Sequence, residues 1–261
     1  MNRRLSVRLV LTFLFIPTFC LSQTDTGASG AKTNLVTSLS LISGGQSISD
    51  MTLSATVVRP AFTSAALPTT IEIKGTSLSK LWIPSSADLR TEVAGTLDSL
   101  PACAWTSADG SSHPIPFENC AIPGWFLPQF GPLARVADDS TSVRYVGRET
   151  KLGEAVDHYS ITVALPFPSS QQSTTVIPIS SDIYLDSSTN IPVGLRYFAH
   201  PNSDLLVNLP VEVRYSDYRL VNGAMVPFKI VKLINGAVLM DISVNSASMN
   251  TGIVDTEFSV Q

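Results

Sequence analysis

The stretch "VEVRYSDYRLVNGAMVPFKIVKLINGAVLMDISV", residues 211–244, constrains the fold more than any other part of the chain. Two Asn-Gly pairs, Asn222-Gly223 and Asn235-Gly236, separate runs of alternating side chains. Asn-Gly suits a two-residue hairpin turn because both central positions need positive φ. The segment therefore reads as three antiparallel strands. Val211, Val213 and Tyr215 form one apolar row, Phe228 and Ile230 a second, and Val238, Met240, Ile242 and Val244 a third. The opposite faces carry Val231, Leu233 and Leu239 among Glu212, Arg214 and Asp241. A sheet with one dominant apolar face must cover that face.

The preceding chain continues the pattern. "MTLSATVVR", "TTIEIKGTS", "DLRTEVAG", "STSVRYVGRE", "AVDHYSITVAL", "SDIYLD" and "IPVGLRYFAH" read as strands, with a hairpin turn at Leu152-Gly153. One helix is expected, in "TNLVTSLSLISGG", where Leu35, Leu39 and Ile42 share a face. Thr33 or Asn34 would cap it and Gly44-Gly45 would end it, after a loose start over residues 23–32. One helix followed by about ten antiparallel strands predicts a mainly β (α+β) fold.

The N-terminus, "MNRRLSVRLVLTFLFIPTFCLSQ", combines Arg3, Arg4 and Arg8 with an apolar run too short for a membrane span of about 20 residues. It reads as a signal peptide over residues 1–22, leaving residues 23–261 as a single β-rich domain in the periplasm or secreted. Lipid anchoring at Cys20 is the rival, disfavoured by bulky Phe19. The whole chain carries −4, and losing three arginines takes the mature chain to about −7. Such a chain gains nothing from neutralising phosphates, which argues against nucleic acid as partner.

The mature chain keeps Cys103 and Cys120, flanking a segment rich in turn residues. In an oxidising compartment they form a disulfide; the alternative is two unpaired thiols. One nearby His113 does not complete a zinc site. The chain shows no nucleophile elbow, metal helix or phosphate loop. His158 beside Asp157 in a strand points to the opposite face, so the pair is no dyad. Asp182 and Asp186 share a strand face and could hold a cation, or serve as ordinary strand-end polars. The reading is of a non-enzyme with no cofactor and no metal.

"AIPGWFLPQFGPL", residues 121–133, offers the missing cover. Its prolines and glycines exclude a regular strand or long helix. Trp125, Phe126 and Leu127 are either a permanent plug on the sheet or a lid over a cavity lined by Val213, Tyr215, Phe228, Ile230 and Met240.

The signal peptide, early helix, "VVRP" strand end, long meander and hydrophobic loop resemble the bacterial LolA/LolB-type outer-membrane lipoprotein carriers. "DIYLDSSTNIPVGLRYF" and "VRYSDYRLVNGAMVPFKI" are similar to exported LolA-like proteins of uncharacterised function. The resemblance implies a strongly curved, unclosed sheet or half-barrel whose concave side binds a lipid or lipoprotein acyl chain. It also implies a monomer without cofactor, and an arginine near the cavity, Arg59. Two other readings stand beside the carrier. One is a cell-envelope module that binds or assembles a partner protein. The other, ranked third, is a hydrolase with a site assembled from distant residues.

Overall fold

A computed structural model of the chain describes residues 26–83, 90–97, 100–166 and 176–260. The expected signal peptide and Cys20 lie outside these residues. Helix α1 (Thr26–Ser43) comes first. Six strands follow: β1 (Asp50–Arg59), β2 (Thr63–Lys74), β3 (Leu78–Ile83), β4 (Arg90–Leu97), β5 (Leu100–Thr106) and β6 (Ser112–Ile115). A short helix α2 (Phe117–Cys120) and a 3-10 turn (Pro132–Arg135) lead to seven more. These are β7 (Thr141–Lys151), β8 (Glu154–Pro166), β9 (Val176–Asp186), β10 (Pro192–Ala199), β11 (Leu209–Val221), β12 (Ala224–Ile234) and β13 (Ala237–Met249).

All thirteen strands form one antiparallel, curved and unclosed sheet, in the order β6-β5-β4-β3-β2-β1-β13-β12-β11-β10-β9-β8-β7. It is two meanders joined where β1 pairs with β13. The hairpins turn where expected. Asn222 and Gly223 have φ of 48° and 89°, Asn235 and Gly236 have 51° and 77°, and Leu152 and Gly153 have 56° and 86°.

Register places the apolar rows on one face. Val57 pairs with Ile242, Ile242 with Ile230, and Ile230 with Tyr215. Met51, Leu53, Ala55 and Val57 are all buried on the same face of β1. Each fully buried Ile or Leu contributes about 1.5–3 kcal/mol relative to exposure. Val238 departs from its expected row. A register shift at Lys232/Leu233 pairs Met240 with Lys232 but Val238 with Leu233, leaving Leu239 as an extra residue. That bulge turns Val238 outward, where it is exposed.

α1 is longer than expected at its start. Thr33 and Asn34 lie inside it, and the Thr33 hydroxyl donates to the Ser29 carbonyl. Its end matches the expectation: Gly44 and Gly45 have positive φ, and the Gly45 amide donates to the Ser40 carbonyl. Ala31, Leu35 and Ile42 pack with Leu133, Val136, Tyr159, Ile161 and Leu185. Tyr159 pairs with Ile183 and Ile183 with Leu195, so the helix covers the concave side at the β7–β9 end.

Among the described residues, no helix lies over the convex side of the meander. Its apolar residues lie among ion pairs: Lys229 with Asp241, Arg214 with Glu212, and Lys151 with Glu212. Further along, the C-terminal segment crosses the convex side, and buried Phe258 packs so closely on Gly95 that a Cβ there would strike the Phe258 carbonyl. Asp50 ties this segment down, accepting hydrogen bonds from the Ser49 hydroxyl and the Thr251 and Gly252 amides.

Candidate functional site

The sheet order explains the hydrophobic loop. β6 and β7 are the two opposite edges, yet they are consecutive in sequence. Residues 116–140 must therefore run from one edge to the other, and they do so across the hollow. Trp125, Phe126, Leu127 and Phe130 join one core cluster with Val213, Tyr215, Phe228, Ile230 and Met240.

The crossing is fastened along its length. The Cys103–Cys120 disulfide ties its start to β5. Asn119 and His200 exchange two hydrogen bonds, each of 2.6 Å. The buried Tyr215 hydroxyl donates to the Trp125 carbonyl at 2.7 Å, and the Gln129 amide to the Met225 carbonyl at 2.6 Å. Burial pushes the Tyr215 phenol well above its ordinary range, keeping it a donor. Gly124 allows the tight turn, because a Cβ there would meet the Phe130 carbonyl. Arg135 reaches the Thr76 carbonyl at the far side.

The structure thus brings eight of the nine expected binding residues into one packed cluster. The ninth, Arg59, is buried at the end of β1, with its guanidinium 4.1 Å from the Phe62 ring centroid. The expected cavity over Val213, Tyr215, Phe228, Ile230 and Met240 is occupied by the loop itself. Open space lies to one side. A cavity of about 220 Å³ sits between α2, the start of the loop and the β4–β5 hairpin. Ala94, Ala102, Cys103, Phe117, Ala121 and Leu165 line most of it, and Thr76, Ser77 and Arg135 complete the wall. Its space exists because Ala94, Ala102 and Ala121 are small, and it exceeds the ~150 Å³ that takes up a benzene.

The hollow also holds polar residues that sequence reasoning missed. From Leu53 the register runs through Ile71, Leu81, Glu92, Trp105 and His113. Arg90 lies on the same face as Glu92 and donates to its carboxylate at 2.6 Å. Trp105 stacks on His113 with centroids 4.0 Å apart, and the Arg90 guanidinium sits 4.5 Å from the Trp105 ring. A second row runs Tyr159, Ile183, Leu195, Val213, Lys232, Met240. Lys232 is the one charge in it, and its ammonium lies 4.1 Å from the Trp125 ring centroid. Burial pulls its pKa down to about 8, with Glu92 drawing it up and Arg90 pushing it down. Its place in the alternation Phe228, Ile230, Lys232 was a readable signal.

Outside the hollow, Asp157, His158 and Asp186 have structural partners. Asp157 is held low first by its hydrogen bond from Arg148, against burial, and then by Tyr145. His158 faces away from Asp157, toward Glu149 and Asp182, and packs on Tyr184. The Asp186 carboxylate is lowered to about 2 by the Ser188 and Thr189 hydrogen bonds of its turn. Among the described residues, no group of three or more His, Cys, Asp and Glu side chains could hold a metal ion. No helix among them is long and apolar enough to cross a membrane.

An open antiparallel half-barrel with a helix and a transverse loop on its concave side defines a class of β-rich protein. Solved structures place this architecture in the LolA-type fold. A DUF1329 family protein from Desulfovibrio piger matches with a TM-score of 0.56 at 12% identity, covering 90% of this chain and 99% of that one. A domain from Vibrio parahaemolyticus, provisionally described as outer membrane lipoprotein-sorting, matches with a TM-score of 0.53 at 9% identity, over 88% and 97%. A LolA superfamily protein from Nitrosomonas europaea matches with a TM-score of 0.50 at 12% identity, over 88% and 97%. At these identities the likeness concerns the fold. No family model and no curated protein sequence matches the chain.

Proposed function

We propose that this protein is exported to the cell envelope and binds the acyl part of a lipid or lipoprotein in its hollow, without catalysing a reaction. The carrying observation is the cavity of about 220 Å³ beside the transverse loop, walled mostly by apolar and small side chains, with Thr76, Ser77 and Arg135 on its polar side. The apolar part of that wall can take hydrocarbon, and each methylene buried against it is worth about 0.8 kcal/mol. The cavity holds part of a chain. A longer one displaces Trp125, Phe126 and Leu127 and lies against Val213, Tyr215, Phe228, Ile230 and Met240, with Arg59 near the rim. The LolA-type fold supports this reading, because a domain provisionally described as lipoprotein-sorting has it.

The test uses mature protein exported from full-length chain. Its intact mass should begin near Gln23, without diacylglycerol at Cys20. Solvent extraction should release acyl species, and the emptied protein should take up a fluorescent fatty acid. Ala94→Phe, which fills the cavity, should weaken uptake at least tenfold with the fold intact. Protein that releases no lipid and binds no probe would overturn the proposal. A second reading, an envelope assembly module, is favoured by the turn Leu205-Leu206-Val207, where Leu206 is 92% exposed. That reading gains if the probe fails while a Leu206→Ser variant loses an envelope partner.

A further inference from the structure

Lys232 sits where an ammonium is costly. Its strand neighbours on the inner face are Ile230 and Ile234, and its cross-strand partners are Val213 and Met240. A cation drawn largely out of water, as the part-exposed Lys232 is, normally has a carboxylate against it. Among the described residues none lies in ion-pair range of Lys232, and the nearby Glu92 is engaged by Arg90 at 2.6 Å. The ammonium rests instead on the ring of Trp125, a residue of the transverse loop. A ring face satisfies an ammonium only partly. When the loop withdraws to admit a chain, that contact goes and the cation lacks an anion.

We infer that Lys232 is the headgroup site of the hollow, taking the single oxyanion, carboxylate or phosphate, at the end of an acyl or alkyl chain. The inference rests on the acyl-binding reading. Entry of such a ligand exchanges Trp125 for an oxyanion on the ammonium, while the chain replaces the loop's side chains on the apolar rows. Arg90 lies across the hollow paired with Glu92, whose carboxylate outweighs it at Lys232, so the lysine is the cation that an entering oxyanion meets. Charge at the headgroup then sets which amphiphiles enter.

The test compares laurate, dodecyl phosphate and dodecanol, which share one chain length, by equilibrium dialysis at pH 7 with mature protein. At least one anion should bind about tenfold or more tightly than dodecanol. Lys232→Met should bring that anion to the level of dodecanol and leave dodecanol within about twofold. Lys232→Arg should keep the preference. The stronger of the two anions identifies the carboxylate or the phosphate as source. Equal binding of all three ligands to the unaltered protein, or a preference that survives Lys232→Met, overturns the headgroup site and leaves acyl binding standing. Failure of all three ligands to bind overturns both.

Discussion

Lys232→Met should stabilise the protein at neutral pH, and the gain should fade as the pH rises. An ordinary lysine amine titrates at 10.5, whereas burial pulls Lys232 to about 8. At 1.36 kcal/mol per pH unit, that difference is a cost of about 3 kcal/mol for holding the charged form in the fold. The side chain is part-exposed, which reduces the cost, and loss of the Trp125 contact removes about 0.5–1 kcal/mol. The net gain from Met, similar in length and uncharged, is about 1–2 kcal/mol below pH 8. The sign follows from proton counting. Between pH 8 and 10.5 the unfolded chain holds the lysine proton and the folded chain has released it. Stability of the unaltered protein therefore rises with pH across that window, and Met has no proton to lose. Urea unfolding of both proteins at pH 7, 8, 9 and 10 measures the difference directly. Taking the difference cancels the buried phenols of Tyr197, Tyr215 and Tyr218, all raised by burial and titrating in both proteins. A Lys232→Met protein less stable at pH 7, or a gap independent of pH, would refute the reasoning.

Two further outcomes concern the transverse loop. Gly124→Ala should lower the melting temperature by at least a few degrees, since the new methyl meets the Phe130 carbonyl and both turns must shift; an unchanged melting temperature would show that the loop is not packed as described. Thiol titration of unfolded, unreduced protein should find no free cysteine, and Cys103→Ser should cost about 3 kcal/mol in chemical unfolding.

The parts of the fold governed by short-range rules were legible in the sequence. Positive-φ turn pairs and alternation located the meander, and Gly44-Gly45 located the helix end. β5 and β6 were not legible, because their sequence looks like a turn-rich loop. Pro114 interrupts a strand of only four residues, which is tolerated because β6 is a sheet edge. β3 is only six residues long, too short for alternation alone to mark it. The bulge that turns Val238 outward leaves no local mark, since it depends on how β12 and β13 meet. The loop's apolar character was plain, but its route was not: only the position of β6 and β7 at opposite edges sends residues 116–140 across the hollow. Arg90 and Glu92 reach the inner face through a register handed from β1 to β4, which no local pattern reveals.

The pairing of β1 with β13 has a consequence for how the chain is made. Val57 meets Ile242 only after all the intervening sequence has been synthesised. Until then β1 presents an unpaired row of amides and carbonyls, bordered by the apolar side chains of Leu53 and Val57. Such an edge recruits foreign strands readily, and a closure joining distant parts of a chain is slow. The half-finished sheet is therefore the vulnerable species, and crossing a membrane before folding would extend its lifetime. Mutations that weaken β13 should reduce the yield of folded protein more than they reduce the stability of protein that has already folded.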